Sequence, residues 1–402
     1  MLVVKKFGGS SVADKDKIFC VAKRCMEDYE QGYDVVIVLS AMGKTTDGLI
    51  AKAVEINPHP PKRELDMLLT TGEQVSVALM AMAFHVLGIP AVSLNAPQVA
   101  MHTSSAYGNA KLKRIDTDRL RHELDARRIV IITGFQGINK YDDMTTLGRG
   151  GSDTTAVALA AALHADRCEI YTDVEGVYTA DPRIVPNARK LSEVSYDEML
   201  EFASLGAKVL HSRSVEMAKK YGVQLIVRSS LTRAEGTIIK EETKVERMLV
   251  SGVAADKNVA RISVLGVKNE PGVAFKIFNL LAKNAMNVDI IIQSIGREDT
   301  KDISFTVAKT DLLDVLNLLE EHKESLTVQA LASEEGVAKL SIIGAGMCSN
   351  PGVASKMFEA LYSANVNIKM IATSEIRITV LIDEADVNRA MRAVHDAFDL
   401  AD

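Results

Sequence analysis

The stretch Thr145–Leu163, TTLGRGGSDTTAVALAAAL, gathers residue types suited to holding an anion. Gly148, Gly150 and Gly151 form a loop in which backbone amides can come close to a ligand. A segment of Ala, Val and Leu follows and reads as a buried helix, with Ser152 expected as its N-cap. The unpaired amides and positive dipole end of such a helix attract negative charge. Arg149 adds a planar fork that matches a carboxylate or a phosphate. Asp153 sets a carboxylate beside the same spot, where a cation, an amine or a lysine would be welcome. A loop that only turned the chain would not need this set, so an anion is expected to bind here.

Four other places carry unusual polar residues. Lys6-Phe7-Gly8-Gly9-Ser10-Ser11 follows a short apolar strand, and a lysine at a strand end before glycines and hydroxyls suits a nucleotide's phosphates. The lysine precedes the glycines, so this is not a Walker A loop; a plain glycine turn is the alternative. Ser40 to Thr46 offers hydroxyls after a second buried strand, or is simply a polar turn. Glu73, within Thr70-Thr71-Gly72-Glu73-Gln74, sits amid Leu68, Leu69, Val75 and Val77. Burying it is expensive unless it is paired, as a substrate amine would pair it; otherwise it lies on a solvated face. Thr172 to Arg183 leaves a strand carrying several acids, Tyr178 and an Asp-Pro turn, either as part of a site or as a decorated surface loop.

These residues need elements to position them. Strand-like and helix-like segments alternate over the first 230 or so residues. Leu2–Phe7, Asp34–Leu39, Ala91–Leu94, Ile129–Ile132, Arg167–Tyr171 and Gln224–Val227 read as strands, and Asp14–Gln31 and Lys62–Leu87 as helices. That alternation predicts a mainly parallel sheet covered by helices on both faces, with ligands at the carboxyl ends of the strands. The polar places above fall at those ends.

The 402 residues imply two or three domains, and 47% hydrophobic with 25% charged residues is ordinary for a soluble globular chain. A net charge of −6 without blocks of like charge excludes an electrostatic nucleic-acid binder. The N-terminus lacks the pattern of a signal peptide, and no run approaches a membrane span by eye. Cys20, Cys25, Cys168 and Cys348 form no metal-ligand or disulfide pattern. A cytoplasmic protein with reduced thiols is expected.

Taken together, Lys6-Phe-Gly-Gly-Ser-Ser, Thr71-Gly-Glu73, Gly134-Phe-Gln-Gly137, Leu147-Gly-Arg-Gly-Gly-Ser-Asp153, Thr172-Asp-Val-Glu-Gly-Val-Tyr-Thr-Ala-Asp-Pro-Arg183 and Leu205-Gly-Ala-Lys208-Val-Leu-His211 resemble the signature set of aspartate kinases. The order and spacing hold across the kinase-like part. The resemblance implies the amino-acid kinase fold over residues 1–245. It also implies transfer of the γ-phosphoryl group of ATP, with Mg²⁺, to the β-carboxylate of L-aspartate, giving 4-phospho-L-aspartate on the way to lysine, threonine, methionine and isoleucine. By the same resemblance Lys6 and Asp153 are catalytic. Ser40, Thr46, Glu73, Arg149, Gly150, Gly151 and Ser152 hold the substrate, with Arg149 on a carboxylate and Glu73 on the ammonium. Lys6, Phe7, Gly8, Gly9, Thr172, Asp173, Tyr178, Arg183 and Lys208 hold ATP, and no protein metal site is expected. A related kinase of another substrate, or an inactive sensor, is the rival reading.

The last third of the chain repeats. Arg261 to Phe278 is echoed by Lys339 to Phe358, and Pro271 and Pro351 lie 80 residues apart. Each copy reads strand, turn, helix, strand, strand, helix, a ferredoxin-like α+β module. The pair resembles tandem ACT domains, expected over 246–335 and 336–402, with the boundary to the kinase part in Arg233–Glu246. Met248–Ala254 could add a strand to either module. Amides at the Pro-Gly turns could hold an effector's carboxylate. Asn269, Gly272, Ala274, Gln293, Asn350, Asn367, Ile368, Ser374 and Glu375 are candidate contacts. The resemblance implies lysine, threonine or both together as effectors, and a homo-oligomer formed through the ACT domains. Met248 could also start a separate regulatory subunit, giving an α/β hetero-oligomer.

Overall fold

The computed structural model describes residues 1–206, 209–241, 249–295, 300–347 and 350–401. Lys208, Met248 and Cys348, named above, lie outside the described residues. Eighteen strands are described. They are β1 Leu2–Phe7, β2 Asp34–Leu39, β3 Ala91–Leu94, β4 His102–Thr103, β5 Leu112–Arg114, β6 Ile129–Thr133, β7 Gln136–Ile138, β8 Met144–Thr146, β9 Arg167–Thr172, β10 Glu193–Ser195, β11 Leu225–Ser229, β12 Thr237–Lys240, β13 Gly252–Lys268, β14 Ile291–Ile295, β15 Thr300–Val307, β16 Ala330–Ile343, β17 Met370–Thr373 and β18 Arg377–Asp383. The helices are α1 Lys15–Glu30, α2 Thr45–Ile56, α3 Lys62–Leu69, α4 Thr71–Val86, α5 Asp118–Asp125, α6 Gly151–Leu163, α7 Tyr196–Ser204, α8 Ser212–Tyr221, α9 Val273–Lys283, α10 Leu312–Glu321, α11 Val353–Ser363 and α12 Val387–Ala397. The chain forms two compact units: 1–178 with 190–204 and 208–245, and 179–189 with 205–207 and 246–402.

In the first unit an eight-stranded sheet runs β10-β12-β11-β9-β1-β2-β6-β3. Its neighbours are parallel except at β11–β12, so the sheet is mainly parallel, and its strands β2 and β6 are apolar on both faces. Side chains alternate along β1. Val3 and Phe7 enter the core built with α1 and α4, while α6 packs across β1, β2 and β9. Helix α6 is apolar all round and almost wholly buried, as expected of a helix inside a large core. A second sheet, β5-β4-β7-β8, forms a small satellite. Strands β10 and β12 and this satellite are too short and polar to stand out in the sequence.

Two local readings are corrected. Lys62–Leu87 is two helices, α3 and α4, meeting at Thr70. Together they span 25 residues, and their most apolar 18-residue window has mean hydropathy 1.3, so this stretch does pass the length and composition test for a membrane span. Over half of its most apolar window is buried within the protein, and it carries buried Asp66 and Glu73. Ser152 is not the N-cap of α6. Gly150 takes that place in the left-handed region at φ 66°, with no side-chain cap. A Cβ on Gly150 would also lie 2.3 Å from the His211 ring, so both conformation and space demand glycine.

The same alternation separates the adjacent lysines of β1. Lys5, 2% exposed, pairs with Asp28 of α1 and lies 3.3 Å from Glu169 of β9. Glu169 is fully buried and also receives Arg167 at 2.9 Å. These attractions hold the Glu169 carboxyl below its usual pKa although burial opposes them. Breaking a buried ion group by removing one partner is costly. Lys5→Met is expected to destabilise the first unit by about 3 kcal/mol, read as a lowered urea midpoint.

In the second unit a six-stranded antiparallel sheet runs β14-β15-β13-β16-β18-β17. Each module shows the expected strand, turn, helix, strand, strand, helix order: β13-α9-β14-β15-α10 and β16-α11-β17-β18-α12. Helices α9 and α11 both start at a glycine in the left-handed region, Gly272 at φ 92° and Gly352 at φ 99°. The long strands β13 and β16 pair along nearly their whole length. Gly252–Asp256 pairs with Lys339–Ile343, and Arg261–Leu265 pairs with Ala330–Glu334. The strand at 252–256 thus joins the second module, and each module completes its sheet with half of the other's first strand. Segment 179–189 belongs to this unit as well. Thr179 accepts the Val253 amide at 2.7 Å, and its hydroxyl lies 3.0 Å from Nε2 of buried His395.

Candidate active site

The carboxyl ends of β1 and β2 bring Lys6, Gly8, Gly9, Ser40, Glu73, Ser152 and Asp153 together. Lys6 leaves β1 on the α6 side, and its Nζ lies 2.6 Å from Asp153 Oδ1 in the first turn of α6. Both side chains are only 13% exposed, so the pair is largely dry and its charges act with little screening. Gly8 is next to Lys6 Nζ: a Cβ there would sit 3.7 Å away. At Gly9 a Cβ would meet the Ala41 carbonyl oxygen at 2.5 Å and Gly43 O at 3.1 Å. The Gly8-Gly9 turn therefore nests against the Ala41–Gly43 loop, and the Gly43 amide donates to Gly9 O at 3.0 Å. Phe7 itself is buried and stacked on Tyr171, with ring centroids 4.4 Å apart. Only its backbone borders the loop.

On the α2 and α4 side, Ser40 Oγ donates to Ser152 Oγ at 2.9 Å, which ties the end of β2 to the start of α6. Thr46 stands half-buried in the first turn of α2. Glu73, in the first turn of α4, is 3% exposed; its Oε1 accepts the Ala41 amide at 3.1 Å. Oε2 has no hydrogen bond, and neither do Thr133 Oγ1 or Gln136 Oε1. Burial pushes the Glu73 carboxyl up to about 7, against the pull of the Ala41 amide. Buried polar atoms are normally paired, so the open Oε2 of Glu73 suits a ligand that donates, as an ammonium does. Arg149 is exposed in the loop ahead of Gly150 and Gly151.

Thr172 ends β9 and Asp173 follows it, the two joined by a Thr172 Oγ1 to Asp173 Oδ1 hydrogen bond at 3.0 Å. Tyr178 bridges Lys190 at the edge of the first unit. Arg183 is not part of the first unit. It lies in 179–189, is 85% exposed at the side chain and forks onto Asp181. In the second unit Asn269 and Gly272 lie at the turn before α9, and Ala274 in that helix's first turn. Gln293 is exposed on edge strand β14; Asn367 and Ile368 precede β17 on the opposite edge.

Sequence reasoning missed Asp66 and Arg213, which grip the backbone around the binding loop. An acid in one helix and an arginine in another carry no signal in the sequence that they meet the same loop. Among the described residues no group of three His, Cys, Asp or Glu side chains is placed to hold a metal ion.

A glycine turn beside a largely buried lysine, a carboxylate on that lysine and the half-bonded, buried Glu73 on the neighbouring loop are the parts expected of a phosphoryl-transfer enzyme of the amino-acid kinase class. The family model for the amino acid kinase family matches residues 1–229, and that for an ACT domain matches 262–322 and 340–398. The aspartokinase of Bacillus sp. (strain MGA3) is 51% identical over 401 residues, covering 100% of this chain and 98% of that one. Aspartokinase 2 of Bacillus subtilis (strain 168) is 49% identical with the same coverage. Among solved structures, E. coli aspartokinase III in complex with aspartate and ADP (R-state) superposes with a TM-score of 0.86 at 27% identity, covering 99% of both chains. The same enzyme in complex with lysine and aspartate (T-state) gives 0.77 at 28% identity and the same coverage. The chain belongs to the aspartokinases. It is an enzyme, a kinase with ACT domains.

Proposed function

We propose that the chain transfers the γ-phosphoryl group of ATP to the β-carboxylate of L-aspartate, giving 4-phospho-L-aspartate, under feedback from lysine and threonine acting together. The Lys6–Asp153 pair carries the reading, since the Ser40–Ser152 and Ala41–Glu73 hydrogen bonds tie this fixed positive charge and the open Glu73 carboxylate to the same end of β2. In this scheme Glu73 takes the substrate ammonium and Arg149 a carboxylate, with Ser40, Thr46, Ser152 and the Gly150-Gly151 backbone orienting it. Lys6 holds charge on the transferring phosphoryl group, and Asp153 fixes the ammonium of Lys6 in place. The Gly8-Gly9 turn, Thr172, Asp173, Tyr178 and Lys208 take the nucleotide. Mg²⁺ would be held chiefly by phosphate oxygens and water, and it would neutralise phosphate charge there.

Residues 1–245 are assigned as the catalytic domain, and 246–335 and 336–402 as the ACT domains, with 252–256 contributed to the second. The Pro-Gly turns with Asn269, Gly272, Ala274, Gln293, Asn367 and Ile368 are the proposed effector contacts, and oligomers are proposed to form through these domains. Such a pathway enzyme would act in the cytoplasm. Trapping the acyl phosphate with hydroxylamine tests the reading. Aspartate-dependent trapping that falls several-fold when lysine and threonine are added together is the expected result. Trapping that ignores both sinks the effector assignment; trapping with another amino acid but not aspartate sinks the substrate.

A further inference from the structure

Two charged side chains outside the binding loop clamp the same two backbone segments with opposite chemistry. Asp66, on α3, is 1% exposed and has no ion pair among the described residues. Its carboxylate instead accepts the Gly108 amide at 2.9 Å, the Thr146 amide at 2.9 Å and the Thr146 hydroxyl at 2.7 Å. Arg213, in the first turn of α8, donates Nη1 to Leu147 O and Nη2 to Ala110 O, both at 2.8 Å. The carboxylate thus takes amides from 108 and 146, and the guanidinium takes carbonyls from 110 and 147. Between them the Ala110 amide donates to Thr146 O at 2.8 Å, and the Leu147 amide to Phe135 O at 2.8 Å.

This frame ends one residue short of Gly148, and the packing continues onto it. At Gly148, φ 77°, a Cβ would sit 3.1 Å from both Asn109 Oδ1 and Gly108 O. The peptides before Thr146 and after Leu147 are therefore held in fixed directions by charged groups, the one between them by backbone hydrogen bonds, and Arg149 follows two residues after Leu147. A buried carboxylate spent on two backbone amides and the Thr146 hydroxyl carries a desolvation cost that apolar packing would avoid. What it supplies that apolar packing cannot is peptide orientation, because hydrogen bonds to a charged group are short and directional.

We propose that Asp66 and Arg213 are positioning residues for the carboxylate-binding loop, setting aspartate affinity by fixing the backbone that presents Arg149. This rests on the reading that the loop holds a substrate carboxylate. Asp66→Asn is expected to raise the KM for L-aspartate tenfold or more, while the KM for ATP stays within twofold and kcat within threefold. In an Arg149→Lys background, which itself raises the aspartate KM, the further effect of Asp66→Asn should shrink to less than twofold, because residues acting through one another are not additive.

A merely structural role predicts otherwise: both KM values rise, or the two substitutions multiply, and either pattern overturns the proposal. An unchanged aspartate KM in Arg149→Lys sinks the reading of the loop. A raised KM there with an unchanged one in Asp66→Asn sinks the positioning role alone. If Asp66→Asn does not fold, Thr146→Val and Arg213→Lys each perturb one arm of the frame. Each should raise the aspartate KM about threefold without touching that for ATP, and unchanged values in both overturn the proposal.

Discussion

Lys6→Met is expected to abolish phosphoryl transfer, lowering kcat by at least about a thousandfold while leaving the fold intact. The ammonium lies in a largely dry site at the carboxyl end of β1, held at 2.6 Å by Asp153. Preorganised charge aimed at a transition state in such a site is worth far more than in water, and losing one donor commonly costs about 10²–10³ in rate. A phosphoryl group in transfer carries more charge than a single oxyanion, so the larger end of that range is expected. Methionine keeps the length and apolar stem, and the Asp153 left unpaired is more exposed than Glu169 (13% against 1% of the side chain), so circular dichroism should barely move and the urea midpoint should fall less than in Lys5→Met. The contrast with the neighbouring residue is the diagnostic. Lys5→Met should lose stability and keep much of its kcat in the folded fraction, whereas Lys6→Met should lose kcat and keep more of its stability. An active Lys6→Met enzyme would remove the lysine from the mechanism.

Glu73→Gln is expected to raise the KM for aspartate by roughly 30- to 1000-fold, the equivalent of about 2–4 kcal/mol for a buried charged partner. It should also change the pH profile. With a carboxyl at about 7, the wild-type free enzyme loses its ionised Glu73 as the pH falls below neutrality. Its kcat/KM for aspartate should then decline up to tenfold per unit on the acid side. The variant has no such group, so that limb should flatten. A low-pH limb near 7 that persists in Glu73→Gln would assign the titration elsewhere.

Stability supplies an independent check with a definite sign. The folded-state value of about 7 lies above the ordinary one of 4.5, so folding favours the protonated acid. The stability associated with it is fully present below about pH 4.5 and is lost as pH rises through about 7. At pH 8 the wild type therefore bears the cost of a buried, half-paired carboxylate. Glu73→Gln, isosteric and neutral, should be more stable there by on the order of 2 kcal/mol, and about equal to the wild type at pH 5. Denaturant midpoints at the two pH values read this directly. A residue kept at a cost in stability and needed for substrate affinity is what a binding carboxylate should look like.

Much of this protein was legible as sequence because its signals are local. Unbroken apolar runs such as Asp34–Leu39 and Ile129–Thr133 can only be buried strands, and the glycine loops announce close backbone approach. The 80-residue repeat fixes two like modules, and the positive φ at both Gly272 and Gly352 matches that repeat to the residue. The sequence marks Lys6 rather than the adjacent Lys5 as the lysine at the strand end before the glycines, and alternation along β1 gives the two different surroundings: Lys6 points to α6, Lys5 to α1.

Tertiary structure alone decided three things. A helix cap depends on backbone conformation, so Gly150 and not Ser152 begins α6. Strand partnership depends on long-range pairing, so Gly252–Asp256 closes the second module although it precedes the first. And Asp66 and Arg213 become a clamp only when α3 and α8 meet the same loop, because a side chain's partner across 80 or 66 residues of chain is set by packing and not by its neighbours in sequence.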